Sequence, residues 1–268
     1  MNITQKDKDY ESFLIKLIID TIKKSLSIEK KLVRRKNNGS ELTLADILLN
    51  EMICSALKEL DENIPIISEE NFFNSNDFLN SRYWLIDPID GTKNYINGGN
   101  EYTINIAMIE NGIPNIGIIG HPPTKKIWVG SKKKAYEVDI NGIKTSLNNK
   151  KSNLNHPVLI TSGNEVNHFK LQSFLKSNTK IKVKKVSSSL KFCILAEKKA
   201  HFYPRFSKIS KWDIAAGHAI LKAAGGEIKD FQNKSYSYNY EGAQTSQFIA
   251  SISSEWTQYF RKFSNSFF

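Results

Sequence analysis

Only two of the 268 residues are cysteine, too few for a disulfide framework, and nothing around them has zinc-ligand spacing. Cys54 and Cys193 both sit in apolar stretches at helical spacing, so buried free thiols are expected. Long apolar runs are missing as well. Met1 to Asp9 is polar and charged, and Phe13–Ile19 is broken by Lys16 and stopped by Asp20, so neither a signal peptide nor a transmembrane segment fits. Acid is the scarcer charge: 27 Asp and Glu stand against 38 Lys and Arg, a net charge of +11. Such a balance invites a nucleic-acid or membrane-surface reading. The lysine clusters at Lys132–Lys134, Lys150-Lys151 and Lys182 to Lys185 carry no interleaved stacking aromatics, so no specific nucleic acid is expected as partner. A reducing cytoplasm is the expected compartment, with room left for peripheral association at the inner membrane face. No internal repeat, low-complexity region or Ser/Cys–His nucleophile motif occurs. What remains is a chain 40% hydrophobic, enough for a sizeable core in one large domain or two close-packed lobes.

The most informative stretch is Trp84 to Tyr95, WLIDPIDGTKNY. Tyr83–Ile86 is aromatic and branched and reads as a strand ending at Asp87. Pro88 stiffens the turn that follows and removes a backbone donor. Asp87 and Asp90 then offer two carboxylates of the kind that hard cations such as Mg²⁺ require, usually together with substrate phosphate. Gly91-Thr92 opens a helix whose first amides can approach an anion. A lone D-P-x-D is more often an acidic turn with a helix cap, but the whole D-P-I-D-G-T after an apolar strand favours metal-assisted phosphate chemistry. Two further acidic positions matter. Glu69 and Glu70 follow the apolar run Ile64–Ile67, and Asp213 opens a helical stretch reaching Ala224. Alone, the first pair reads as surface charge and Asp213 as a cap.

In this order, these motifs resemble the inositol monophosphatase-like superfamily of Mg²⁺-dependent phosphatases, with its E-E, D-P-[IL]-D-G-T and W-D-x-A-A-G elements. Within it, YWLIDPIDGTKNY, NEYTINIAMIENG, SSSLKFCILAE and AHFYPRFSKISKWDIAAGHAILKAAGG are similar to the 3'(2'),5'-bisphosphate nucleotidase branch. The resemblance implies a layered αβαβα sandwich, α/β in class, with two or three Mg²⁺ ions held between lobes. It makes Glu69, Asp87, Asp90, Asp213 and the carbonyl of Ile89 metal ligands. Asp46, in the T-x-x-D element Thr43–Asp46, would activate water with Thr92, Glu69 sharing in catalysis. Gly91, Thr92 and Lys93 would lie along the scissile phosphate, and Lys191 and Arg205 would bind a small anionic nucleotide, with the metal-site residues Glu69, Ile89, Asp90 and Asp213 also touching substrate. An exposed lysine would be equally ordinary in the amphipathic stretch Leu190–Ala196, and His218 reads as a packed helical histidine. Two departures stand out: Glu41 replaces a usual proline, and Thr161-Ser162-Gly163-Asn164 replaces S-R-S-H, the second bearing on substrate preference. The implied reaction is removal of the 3'-phosphate from adenosine 3',5'-bisphosphate, as in sulfate assimilation. Alternatives are an inositol or fructose phosphate phosphatase of the same fold and a non-catalytic nucleotide- or RNA-binding protein. A monomer or homodimer fits equally.

Periodicity predicts helices over Tyr10 to about Val33 and over Leu44 to Leu60. Strands are predicted at Ile64–Ser68, Tyr83–Ile86, Tyr102–Ile109, Ile113–Gly120, Lys126–Gly130 and Ala135–Val138, with Asn111-Gly112 as a tight hairpin turn. Asn148–Asn155 is the expected boundary between a lobe over 1–150, carrying most metal ligands, and an α/β lobe over 151–268, carrying the substrate-binding residues and the last ligand. The second lobe should alternate: strand Val158–Thr161, helix His168–Leu175, strand Ile181–Lys185, helix Ser189–Ala196, strand His201–Tyr203 and helix Asp213–Ala224, stopped by Gly225-Gly226.

Overall fold

The computed structural model describes residues 5–30, 32–35, 41–72, 75–132, 134–148, 151–152, 156–163 and 165–264. Helix α1 (Gln5–Ser27) buries Tyr10, Leu14, Leu17, Ile18 and Ile22, one stripe at helical spacing. It ends earlier than periodicity predicts. Leu32–Arg35 is instead a strand, β1, paired antiparallel with β2 (Glu41–Thr43), because the basic residues here offer no stripe to continue the helix. Helix α2 (Leu44–Leu60) has the predicted bounds and buries Ala45, Leu49, Ile53 and Leu57, one residue per turn, against the same cluster.

Seven strands make the first sheet, in chain order: β3 (Ile66–Ser68), β4 (Arg82–Asp90), β5 (Thr103–Glu110), β6 (Ile113–His121), β7 (Lys126–Ser131), β8 (Lys134–Asp139) and β9 (Lys144–Ser146). A single helical turn, α3 (Thr92–Ile96), leaves the end of β4. Asn111 and Gly112 turn β5 into β6 with positive φ at both positions, as a type I′ hairpin demands. On β5, Ile104, Ile106 and Met108 face α1 and α2, while Ala107 and Ile109 face the opposite layer. Burial on both faces explains why Ile106 to Ile109 form an unbroken apolar run instead of alternating.

The second sheet has the order β11-β10-β12-β14-β13. Its members are β10 (Val158–Thr161), β11 (Lys182–Lys185), β12 (Phe202–Arg205), β13 (Glu227–Asp230) and β14 (Phe248–Ser251). Helices α5 (Leu190–Ala196) and α6 (Ala215–Ala223) lie between the two sheets, sharing one apolar cluster with Ala107 and Trp128 on one side and Ile160 and Tyr203 on the other. Helices α4 (Phe169–Lys176) and α7 (Ser254–Ser264) cover the outer face through Leu171, Phe174 and Phe260. The result is the expected αβαβα sandwich. Strands β9, β13 and β14 are too short to stand out in the sequence, and helix α7 is a further element beyond those predicted. Most of the expected boundary Asn148–Asn155 lies outside the described residues; the first sheet ends at Ser146 and the second begins at Val158. Cys193 is a buried free thiol, whereas Cys54 is only half-buried. Among the described residues, no helix is long and apolar enough to cross a membrane.

Candidate active site

Three separate elements deliver the acidic residues. The parallel pairing of β3 on β4 matches Ser68 with Ile86, and the Glu69 amide then donates to the Ile86 carbonyl at 3.1 Å, setting Glu69 beside Asp87. Strand β4 does not stop at Asp87 as expected. It runs to Asp90 through an irregularity in which pairing jumps from Asp87↔Asn105 to Asp90↔Thr103. Pro88 is tolerated there because a bulge needs no ladder donor, and the Asp87 side chain accepts from the Ile89 amide at 3.1 Å. Asp213 comes from a short 3₁₀ turn, Lys211–Asp213, ahead of α6, where its carboxylate accepts from the Ser210 amide at 3.1 Å. The helix proper begins only at Ala215, so the capping reading of Asp213 holds locally while the packing of α6 aims the residue at the other acids.

Carboxylate oxygens of Glu69, Asp87 and Asp213 lie within 4.8 Å of one another. Burial first, and then the neighbouring carboxylates, push Asp87 and Asp213 well above the ordinary carboxylate range. Hard oxygen donors crowded in this way fit a divalent cation, whose charge would relieve the repulsion. Asp90 stands outside this triangle but acts on it electrostatically. Its carboxyl is also raised by burial, opposed by Lys191 and by bonds from Ser189 and Asn105, the latter at 3.4 Å.

Asp46 is buried, and its carboxylate takes the Thr43 amide at 2.7 Å and the Thr43 hydroxyl at 2.5 Å, a capping box at the start of α2. Burial pushes its pKa up to about 7 against those two bonds, and Glu70 and Glu69 add to the rise. The Thr92 hydroxyl donates to the Ile89 carbonyl at 3.1 Å, so the expected pair of Asp46 and Thr92 are each bonded elsewhere. Gly91 holds φ +95°, and a Cβ there would stand 2.7 Å from the Glu101 carbonyl, so glycine is required. The following α3 spans only five residues, which leaves little macrodipole behind its amides.

A cleft of about 400 Å³ opens beside Gly91, Thr92 and Lys93, walled also by Glu41, Ser162, Gly163 and Lys191. Both sequence departures therefore reach this cleft. Lys191 is not an exposed helical lysine. It is 4% exposed, because the short α5 is buried on nearly every side, and its Nζ donates to the Ser188 carbonyl at 2.5 Å. Burial pushes it down to about 8, with Asp90 opposing. Arg205 ends β12, with Nε 3.5 Å from Glu165. His218 packs as expected, 3.2 Å from the Tyr238 hydroxyl. Two residues escaped the sequence reading. Glu165 is buried beneath Arg205, and Lys211 is wholly buried between the rings of Phe78 and Tyr240, donating to the carbonyls of Tyr238 and Tyr240. Neither has a local signal, since both partner sets lie far along the chain.

The model of the inositol monophosphatase family matches residues 5–260. The chain belongs to the inositol monophosphatase family. It is a phosphoric monoester hydrolase. Curated relatives of this family member include the 3'(2'),5'-bisphosphate nucleotidase CysQ of Salmonella typhimurium, 36% identical over 206 residues, 76% of this chain and 82% of that one. The enzyme of the same name from Buchnera aphidicola is 36% identical over 208 residues, 77% of each. Among solved structures, CysQ from Bacteroides thetaiotaomicron superposes with a TM-score of 0.77 at 27% identity, over 91% of this chain and 97% of that one. Thermotoga maritima IMPase reaches 0.78 at 24% identity, over 96% and 97%, a likeness of fold. The family and branch expected from the motifs are thus the ones matched.

Proposed function

We propose that this enzyme removes the 3'-phosphate of adenosine 3',5'-bisphosphate, giving AMP and phosphate, by Mg²⁺-dependent attack of water. The observation that carries this reading is the meeting of Glu69, Asp87 and Asp213 from three elements, beside a cleft holding Thr92, Lys93 and Lys191. The relatives named as bisphosphate nucleotidases support the choice of substrate. Glu69, Asp87, Asp90, Asp213 and the Ile89 carbonyl hold the metal, two or three ions in the full site. Bound there, Mg²⁺ would lower the pKa of a coordinated water and neutralise phosphate oxygens. Asp46, raised to about 7, is suited to take a proton near neutral pH, and Thr92 orients the water. Lys191 and Arg205 hold the anionic nucleotide. The lobe over 1–150 supplies most ligands, and the lobe over 151–268 supplies Lys191, Arg205 and Asp213. We place the enzyme in the cytoplasm, as a monomer or homodimer with no specific nucleic-acid partner.

The test is phosphate release from adenosine 3',5'-bisphosphate, inositol 1-phosphate and fructose 1,6-bisphosphate, each with and without Mg²⁺. Strong Mg²⁺-dependent preference for the nucleotide is expected. Preference for a sugar phosphate would favour the second reading, to which Ser162 and Gly163 in the cleft wall lend support. Inactivity on all three would leave a binding protein.

A further inference from the structure

Glu165 follows directly on the altered segment Thr161–Asn164 and is 2% exposed. One of its oxygens accepts from the Phe206 amide at 2.6 Å and the Ser207 amide at 3.1 Å. The other accepts from the Ser207 hydroxyl and faces Arg205 Nε at 3.5 Å. The carboxylate therefore ties the turn after β10 to the end of β12. It also sets a negative charge against one edge of the Arg205 guanidinium, which donates to the carbonyls of Ser207 at 3.2 Å and Lys208 at 3.4 Å.

The opposite edge has only neutral hydroxyl partners. Nη1 reaches the Ser162 hydroxyl at 3.3 Å and the Tyr203 hydroxyl at 3.5 Å, both long for an N–H donor. An anion accepting from Nη1 would displace weak bonds only, and charge-assisted bonds to guanidinium are the stronger kind. Ser162 lines the same cleft as Lys93 and Lys191. Lys93 and Lys191 thus line the cleft itself, and Arg205 reaches its wall through Ser162.

Resting on the nucleotidase reading above, we propose that Glu165 is a positioning residue that holds Arg205 for a second phosphate and so sets the preference for a bisphosphate over a monophosphate ester. Adenosine 3'-phosphate offers Arg205 only a neutral 5'-hydroxyl in place of that phosphate. A glutamine at 165 keeps an oxygen for the Phe206 and Ser207 amides but can turn an NH₂ toward Nε, repelling the guanidinium.

The experiment compares kcat and KM for adenosine 3',5'-bisphosphate and adenosine 3'-phosphate in wild type, Glu165→Gln, Arg205→Lys and the double variant. Glu165→Gln is expected to lower the kcat/KM ratio of bisphosphate to monophosphate about tenfold, through a higher KM for the bisphosphate, with kcat changed less than twofold. Arg205→Lys should lower the ratio similarly, and the double variant no further, because the first residue acts through the second. Equal losses on both substrates, an unchanged ratio or additive losses would overturn the proposal. If circular dichroism shows Glu165→Gln unfolded, Glu165→Asp keeps the charge but withdraws it by one methylene, and a severalfold drop in the ratio is expected; an unchanged ratio overturns it equally. A wild-type enzyme without preference for the bisphosphate would overturn the functional reading together with this inference. A wild-type preference that Glu165→Gln leaves intact would overturn the inference alone.

Discussion

Glu69, Asp87 and Asp213 repel one another at less than 4.8 Å, and this residue-scale cost can be measured. The raised Asp87 carboxyl means that its ionised form destabilises the metal-free fold. Asp87→Asn should therefore raise the melting temperature in EDTA, by about 2 °C if the relief is of order 1 kcal/mol. The same variant should lose most of the thermal upshift that Mg²⁺ confers on the parent; a lower melting temperature with that upshift intact would refute the metal site. His218 works in the opposite sense. Buried against Tyr238 and Tyr236 with Lys222 nearby, it is pushed down from 6.5 to about 3. Between those values the unfolded chain binds more protons than the folded one, so stability falls as pH falls below 6.5. Urea melts of parent and His218→Gln at pH 6.5 and 5 should show the parent losing more, by about 1–2 kcal/mol; equal losses would mean that the imidazole is not buried neutral.

Among the elements, α6 does most to place the site, because it carries Asp213 at its approach and packs directly on the first sheet. A Cβ at Gly130 would meet backbone atoms of Ile220 at 2.3 and 2.6 Å, and a backbone cannot swing aside as a side chain can. Gly130→Ala should push α6 off β7, costing about 1–3 kcal/mol as overpacked cores do. Activity should fall at least tenfold even where the protein remains folded, since Asp213 moves with the helix. A denaturant series and kcat on the same preparations would decide it; lost stability with full activity would separate α6 from the site. Strand β4 is the other decisive element: its irregularity at Pro88 carries Asp87 and Asp90 close together at the end of one strand.

Across the whole molecule, the excess of base over acid gives a net charge of +11. Substrate carrying several negative charges should be drawn in by this field, and salt screens such attraction beyond roughly 10 Å at 0.1 M. At fixed Mg²⁺, kcat/KM for the bisphosphate should fall about three- to tenfold between 10 and 200 mM NaCl, with kcat little changed. A salt-independent kcat/KM would assign the lysines to solvated faces. The exposed edge strand β11, Lys182–Lys185, fits that plainer role, since lysines on an edge strand also block sheet-to-sheet association.

Local chemistry was legible in the sequence: the bounds of α2, the Asn111-Gly112 turn, the apolar strands of the first sheet, and the acidic positions Glu69, Asp87 and Asp213 as candidates. Each depends on dihedral preference, periodicity or a motif spanning a few residues, all of which are written in adjacent side chains. Tertiary structure alone decided that those three carboxylates converge, that Lys191 is buried beside Asp90, and that Glu165 rather than a neighbour in sequence restrains Arg205. Those contacts join residues far apart in the chain across two sheets. They follow from which faces must be covered to bury apolar surface, and no local pattern of polar residues encodes that outcome.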